Sequence, residues 1–223
     1  MFKRTALAVL VLAALPMQAN AADGMFRLDA HVSTLGGGLE IGAPLSERYT
    51  ARLGFNTFKA SGNTDSGGLN YTGDLKLSSV SAMMDWRPWN GVTHLTAGVI
   101  FNSNKLELNA AATAGTVYNI NGFDYTANTG DAINTTVDFN KVSPYLGIGW
   151  SGQPKKQGFS FSSDIGILFQ GSPKATVTAS GSWAGTGGKT VTDLVADAQS
   201  QLNSDLSNFK YYPVISFGIG YTF

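Results

Sequence analysis

Residues 211–223 read Tyr-Tyr-Pro-Val-Ile-Ser-Phe-Gly-Ile-Gly-Tyr-Thr-Phe. From Ile215 to Phe223 every second residue is large and hydrophobic, whereas serine, glycine and threonine occupy the positions between them. Because side chains alternate between the two faces of a β-strand, the pattern predicts a strand with one apolar face and one face of small, mostly polar residues.

The same alternation recurs along the chain. In 49–58, for example, Tyr49, Leu53 and Phe55 share one face and Arg52 lies on the other. Each segment has about 7–12 residues, close to the 9–11 that a tilted strand needs to cross a bilayer. The predicted strands are 35–42, 49–58, 80–86, 93–102, 142–150, 159–170 and 211–223.

The composition narrows the class of protein. Only 13% of the 223 residues are charged, whereas 27 are glycine, 11% are aromatic and the mean hydropathy is zero. A zero average is not typical of a bundle of membrane helices, but it is expected of a barrel whose residues alternate between lipid and interior. The absence of cysteine excludes disulfides, thiolate catalysis, cysteine-ligated metals and a lipoprotein anchor.

The aromatic residues distinguish a membrane barrel from a soluble antiparallel sheet, which alternates in the same way. They form two groups on the apolar face, and Phe159 and Phe169 in one strand are ten residues apart. At a rise of ~3.3 Å per residue and a tilt near 40°, this separation spans about 25 Å, the height of the lipid-facing band. One group, beside short connections or the chain end, is Tyr49, Trp86, Trp150, Phe159, Tyr221 and Phe223, and the other, at the opposite strand ends, is Phe55, Phe101, Phe169 and Tyr211.

The connections alternate between short and long. The short ones follow strands 35–42, 80–86 and 142–150, and the long polar ones lie around 60–70, 109–135 and 171–208. This alternation predicts short periplasmic turns and long extracellular loops.

One segment of the last long loop changes its period from two to that of a helix. Over Val191–Leu206 the polar residues fall opposite an apolar stripe, and either Thr190 or Thr192 can cap the start. The sequence therefore predicts a short helix, either packed on loop residues or serving as a gate or plug. The stripe consists of Val191, Leu194, Val195, Ala198, Leu202 and Leu206.

The N-terminus has the three parts of a secretory signal peptide. Lys3 and Arg4 supply positive charge, residues 5–15 are apolar, and Ala19-Asn20-Ala21 gives the small-residue cleavage pattern. We predict that residues 1–21 are removed and that 22–223 form the mature domain. Thirteen basic and 15 acidic residues then remain, a net charge of −2 that gives no indication of nucleic-acid binding.

The C-terminal strand resembles the sorting signal of bacterial outer-membrane proteins through Phe217, Ile219, Tyr221 and the terminal Phe223. The whole mature chain is similar to the small Gram-negative outer-membrane barrels of the OmpX, OmpW and porin-like kind. The resemblance implies location in the cell outer membrane, contact with its lipid, and the barrel-assembly machinery and periplasmic chaperones as partners during biogenesis.

Seven strands are an odd number, whereas single-chain bacterial barrels have even numbers. An eighth strand is predicted over 25–32, where Phe26, Leu28, Ala30 and Val32 alternate with polar residues. It must turn near 33–37. The predicted fold is therefore an all-β, antiparallel transmembrane barrel of about eight strands.

The strand parity places a set of polar residues inside the barrel. An eight-stranded barrel is normally filled by side chains, which favours a structural network in which Arg52 bridges carboxylates. Many interior glycines favour instead an open path for solutes, because they occupy little volume. The candidate lumen-lining residues are Glu40, Arg52, Asp85, His94, Tyr145 and Asp164, and the predicted interior glycines are at 36, 38, 42, 54, 98, 147, 149, 166, 218 and 220.

These observations support three functional hypotheses. The first is a porin-like barrel for passive passage of small solutes, and the second is a closed barrel that meets partners through its extracellular loops. The third, a lipid-modifying enzyme, is disfavoured because His94 is expected near the periplasmic end, away from the lipid A of the outer leaflet, and His31 has no evident serine or acid partner. No catalytic residue is assigned. No metal-ligand spacing or phosphate loop is present, so neither a metal nor another cofactor is expected.

Overall fold

The computed structural model describes residues 25–66, 69–89, 91–152 and 157–223. The predicted signal peptide, 1–21, lies outside them. Within these ranges, a short 3₁₀ helix (Thr186–Gly188) and one α-helix, α1 (Val191–Leu206), precede the last strand. Among the described residues, no helix is both long and apolar enough to cross a membrane. In chain order the strands are β1 (Arg27–Ser33), β2 (Gly36–Pro44), β3 (Tyr49–Ser66), β4 (Leu69–Trp86), β5 (Thr93–Asn102), β6 (Lys105–Ala112), β7 (Val117–Ile120), β8 (Phe123–Thr126), β9 (Ala132–Asp138), β10 (Val142–Ser151), β11 (Gly158–Phe169), β12 (Lys174–Ser180), β13 (Ala184–Gly185) and β14 (Tyr211–Thr222).

Eight of these strands close into an antiparallel barrel in the order β1-β2-β3-β4-β5-β10-β11-β14. The C-terminal strand β14 completes the closure, because it pairs with β1 on one side and with β11 on the other. A closed barrel leaves no unpaired strand edge in hydrocarbon, where an unpaired backbone group costs several kcal/mol. The prediction of an eight-stranded antiparallel transmembrane barrel is confirmed.

The first hairpin is short, as the sequence predicts. Ser33 pairs with Gly36, so only Thr34 and Leu35 form the turn. Gly36 has φ +112°, and a Cβ atom there would lie 2.5 Å from the carbonyl oxygen of Thr57, so glycine is required at this position. The tight turn directs Leu35 back over the barrel interior, where it is buried.

The outer face of the barrel is apolar, with Phe161 81% exposed and Phe159 78% exposed. Its aromatic residues pair across β11 and β14 at both strand ends: Phe159 contacts Tyr221, and Phe169 contacts Tyr211, with ring centroids 4.8 and 5.6 Å apart. So extensive an exposed apolar surface is unfavourable in water and is expected where the surrounding solvent is lipid.

The segments 60–70, 109–135 and 171–208 belong to long connections between barrel strands, as predicted, but they also contain β-structure that the sequence pattern did not predict. Strands β3 and β4 extend beyond the barrel, and the sheet continues from β4 through β6 and β9 to β12. A second small sheet contains β7, β8 and β13. The name loop domain is used for the following elements together: β6, β7, β8, β9, β12, β13, α1 and the outer halves of β3 and β4 (59–66 and 69–76).

The helix α1 has the bounds that the sequence predicts. Thr190 caps its start in a reciprocal capping box with Asp193. Leu194 and Ala198 are buried on the inner face. Asn203 accepts a hydrogen bond from the backbone N–H of Ala175 at 2.9 Å, so the helix covers part of the edge of β12 that no other strand pairs.

Acid is expected to loosen α1 before it affects the barrel. Hydrogen bonds from Thr190 lower the pKa of Asp193, and hydrogen bonds from Lys189 and Tyr125 lower the pKa of Asp197. A carboxyl group with a lowered pKa in the folded state stabilises it above its ordinary pKa, near 3.8, and this stabilisation is lost as the pH falls through the lowered value. Amide protection factors of α1 are therefore expected to fall as the pH is lowered below 5, and to fall by more than those of the barrel strands. The double variant Asp193→Asn/Asp197→Asn should start with low protection and show little further pH dependence, and an unchanged wild-type helix at low pH would contradict the assignment.

Candidate functional sites in the barrel interior and the loop domain

Arg52 lies at the centre of the barrel interior. Its Nη1 donates a hydrogen bond to Glu40 Oε1 at 2.9 Å, and its Nη2 donates to Asp85 Oδ1 at 2.9 Å and to Asp164 Oδ1 at 3.1 Å. Its Nε lies 2.9 Å from Asp85 Oδ2, although the N–H does not point at that oxygen. One guanidinium thus contacts three carboxylates.

This network spans the full width of the barrel. Arg52 is on β3 and Asp164 is on β11, and in a closed order of eight strands these two are diametrically opposite. Glu40 on β2 and Asp85 on β4 lie on either side of Arg52. The side chain of Arg52 therefore crosses the barrel interior and forms an ion pair with the opposite wall.

His94 extends the network towards the short-turn end. Its Nε2 lies 3.2 Å from Asp164 Oδ1, and its Nδ1 lies 3.5 Å from the hydroxyl oxygen of Ser151. The connectivity serine–histidine–aspartate was not predicted from the sequence. However, His94 is only 1% exposed, and the Ser151 oxygen already accepts a hydrogen bond from Arg87 Nη2 at 2.8 Å.

Tyr145 fills the interior on the long-loop side of Arg52. Its hydroxyl group lies where a Cβ atom on Gly147 or Gly166 would be, within 3.0 Å of both ideal positions. Gly149 is covered in the same way by His94 and Asp164. The interior glycines were the argument for an open path, the alternative to a filled interior, but at these positions they accommodate the side chains of neighbouring residues. These glycines therefore do not open a path for solutes through the barrel.

Above Tyr145, the interior is closed by an apolar cluster. Leu35 from the first hairpin packs with Ile100, Leu168 and Val214, and all four are buried together with Tyr145. The short first turn, which lets Leu35 fold inward, therefore contributes to the closure of the long-loop end.

Two small cavities remain inside the barrel, of about 50 and 30 Å³. Arg52, Glu40 and Asp29 line both of them, so the network separates one from the other. Charged and polar side chains contribute to the lining of both, and each has room for a few water molecules at most.

All six predicted lumen residues point inward: Glu40, Arg52, Asp85, His94 and Asp164 form one network, and Tyr145 packs beside it.

Three further charged residues, Arg27, Asp29 and Arg87, lie in the interior but were not among the lumen-lining residues predicted from the sequence. Arg27 pairs with Asp29 and donates a hydrogen bond to Ser160 at 2.6 Å, and Arg87 donates one to Thr50 at 2.9 Å. Arg87 lies two residues after Asp85 and would share its inward face, but the predicted strand ends at Trp86, so Arg87 was not included. In the described parts of the chain, no group of three His, Asp or Glu side chains could hold a metal ion.

A larger cavity, of about 640 Å³, lies in the loop domain. Its floor is the apolar face of β6 and β9, with Leu106, Leu108 and Ile133, and Ile120 of β7 forms a wall. The C-terminal half of α1 forms the roof through Leu202. This cavity was not predicted from the sequence, because its floor is formed by β6 and β9, which are not among the predicted strands.

The fold and the filled interior define a class: an eight-stranded transmembrane β-barrel with a folded domain on its long-loop end. Among solved structures, CarO of Acinetobacter baumannii has this fold, with 23% sequence identity, a TM-score of 0.60, and 88% of this chain and 97% of CarO covered. CarO2 of the same organism gives 21% identity, a TM-score of 0.62, and coverage of 89% and 98%.

A major outer membrane protein from Thermus thermophilus also matches, with 15% identity, a TM-score of 0.37, and coverage of 89% and 99%. No protein-family model matches the chain, and no curated protein sequence matches it significantly. At these identities the two CarO structures establish the fold that the chain shares with them.

Proposed function

We propose that the protein is an outer-membrane barrel of a Gram-negative bacterium, closed inside, which presents its loop domain outside the cell as a binding module. The observation that carries the proposal is the Arg52 ion-pair network, which joins opposite walls of the barrel. It lies between two cavities that have room for a few water molecules each. The apolar outer face and the terminal aromatic strand support the location, because both are typical of barrels assembled into the outer membrane.

Porin-like passage of small solutes is the second candidate. The observation in its favour is that the two interior cavities flank the same residues, Arg52 and Glu40, one towards each end of the barrel. Passage would require Arg52 to leave three carboxylates and Leu35 to withdraw from the long-loop end. Each step exposes buried groups, so the closed barrel is the better supported function.

Single-channel recording of the refolded mature protein tests the choice. We expect no steady openings in planar bilayers at either polarity, because Arg52 and the Leu35 cluster obstruct the interior at two levels. Steady openings of the wild-type protein would overturn the closed-barrel proposal and favour passive passage.

A silent recording is informative only if the protein is inserted, and the lack of native cysteine provides the control. A single cysteine at Val117 in the loop domain is expected to react with a membrane-impermeant maleimide on intact cells. A cysteine at Trp89 in a short turn is expected to react only after the outer membrane is opened. Both side chains are exposed, so a difference in labelling reports the side of the membrane. The reverse pattern would contradict the proposed orientation.

We extend the proposal to the question of catalysis and assign no enzymatic activity. Burial of His94 keeps substrates from its imidazole, and the hydrogen bond from Arg87 occupies the Ser151 oxygen. Ser151, His94 and Asp164 are therefore assigned to the structural network of the interior.

A further inference from the structure

We propose that the loop-domain cavity binds a small amphiphile that has an aliphatic body and a cationic amine head group. The inference rests on the proposed role of the loop domain in binding and specifies what is bound. The size, the lining and the charge of the cavity support this ligand class.

The size and lining of the cavity indicate a small apolar ligand. Its volume of about 640 Å³ lies within the ~300–1,000 Å³ of typical small-molecule sites. Leu106, Leu108 and Val137 line the floor, and Leu202 and Leu206 line the roof. Aliphatic side chains on opposite sides favour burial of a hydrocarbon group, at roughly 25 cal/mol per Å² of apolar surface removed from water.

The cavity exists because α1 covers only one side of the sheet. Asn203 and Gln199 bind backbone N–H groups of β12, which holds the helix over that strand. The helix contacts mainly β12, so a gap remains between the apolar faces of β6 and β9 and the C-terminal half of α1. A ligand in this position would complete the apolar layer between the sheet and α1.

The charge around the cavity selects the head group. Of the described residues that line it, Asp205 is the only charged one, and its carboxylate forms no hydrogen bond or salt bridge within the described part of the chain. Asp205 lies in the last turn of α1, which contains no basic residue. The carbonyl groups at a helix C-terminus add partial negative charge, so this end of the cavity attracts a cation and repels an anion.

Neutral polar groups beside Asp205 can complete the head-group site. Gln201 and Asn119 line the cavity and are exposed at its surface. Asn119 Oδ1 can accept a hydrogen bond from an ammonium group, and Gln201 Oε1, which accepts one from the Asn121 N–H at 2.9 Å, has a second lone pair. A carboxylate or sulfate head would meet Asp205 without a counter-charge. The ligand class is therefore an alkyl or alicyclic amine rather than a fatty acid.

The test uses three probes with the same chain: octylamine, 1-octanol and octanoate. The mature protein is placed in lipid nanodiscs, and its Leu, Ile and Val methyl groups are observed by NMR. We expect saturable shifts at Leu106, Leu108 and Ile133. Octylamine should bind about threefold more tightly than octanol, as a partly exposed charge pair allows, and octanoate should bind most weakly. Shifts that do not saturate and equal those of lipid-facing Leu146 would show partitioning only and overturn the proposal.

Two substitutions at adjacent positions form a matched pair. Ala110 is buried and lines the cavity, whereas Ala111 is exposed on the opposite face of β6. Ala110→Phe should abolish the saturable shifts, and Ala111→Phe should retain them. Leu202→Trp, in the roof, provides a second way to fill the cavity if Ala110→Phe fails to fold. Undiminished binding in a folded filled variant would overturn the proposal.

Asp205→Asn tests the head group, and octanol serves as its internal control. Octylamine should lose its advantage in this variant, while octanol binding stays the same. An unchanged preference for octylamine, or a preference for octanoate in the wild type, would overturn the assignment of a cationic head. Silent channel recordings together with failed binding would reject this inference alone, whereas steady openings with intact binding would reject the closed barrel alone.

Discussion

Replacing Arg52 with alanine is expected to lower the free energy of unfolding by about 3–5 kcal/mol, because removing one partner of a buried ion pair leaves its counter-charges uncompensated. Here Glu40, Asp85 and Asp164 would face one another in the interior without the cation that holds them together. Urea unfolding of the protein in lipid vesicles, followed by tryptophan fluorescence, measures the change.

Two further variants separate charge balance from packing at this site. Arg52→Lys keeps the charge but not the forked geometry, so its loss should be smaller than that of Arg52→Ala. Adding Asp164→Asn to Arg52→Ala removes one of the unpaired carboxylates and should restore part of the stability. An Arg52→Ala protein that unfolds within 1 kcal/mol of the wild type would show that the network contributes little.

Placing arginine at Ile165 is expected to destabilise the barrel by about 2–4 kcal/mol, the cost of this residue at the bilayer midplane on a lipid-facing strand. Ile165 lies near the middle of β11 and is 50% exposed on the outer face. The same unfolding measurement in vesicles applies.

The matched control is arginine at Val117, which is 56% exposed but belongs to the loop domain. Exposed arginine in water is well solvated, so this change should alter stability by less than about 0.5 kcal/mol. Equal effects at the two positions would contradict a lipid environment around the barrel wall.

The sequence predicted the barrel because lipid and interior impose opposite polarity on alternate residues. In β14, large hydrophobic residues such as Phe217 alternate with small ones such as Gly218, and no loop insertion interrupts the pattern. The helix Val191–Leu206 was predicted for a similar reason, since the apolar stripe is buried at Leu194 and Ala198 while the opposite face is polar.

The loop domain was not predicted, because its strands have weaker patterns. Ala175, Val177 and Ala179 alternate with polar residues in β12, but alanine differs little from its polar neighbours in hydropathy. The inward position of Leu35 was also missed, since the parity of a strand no longer applies within a turn. The cross-barrel contacts of Arg52 could be suggested from parity, but their partners depend on the strand order around the closed barrel.

The continuity of β3 and β4 fixes the height of the ligand cavity above the membrane. Residues 59–66 extend the β3 ladder past the barrel by about 26 Å along the strand, at ~3.3 Å per residue. Rotation of the loop domain relative to the barrel would require breaking several hydrogen bonds between β3 and β4. A molecule confined to the hydrocarbon layer therefore cannot reach Leu108 or Leu202, and in the proposed orientation the cavity is open to molecules dissolved outside the cell.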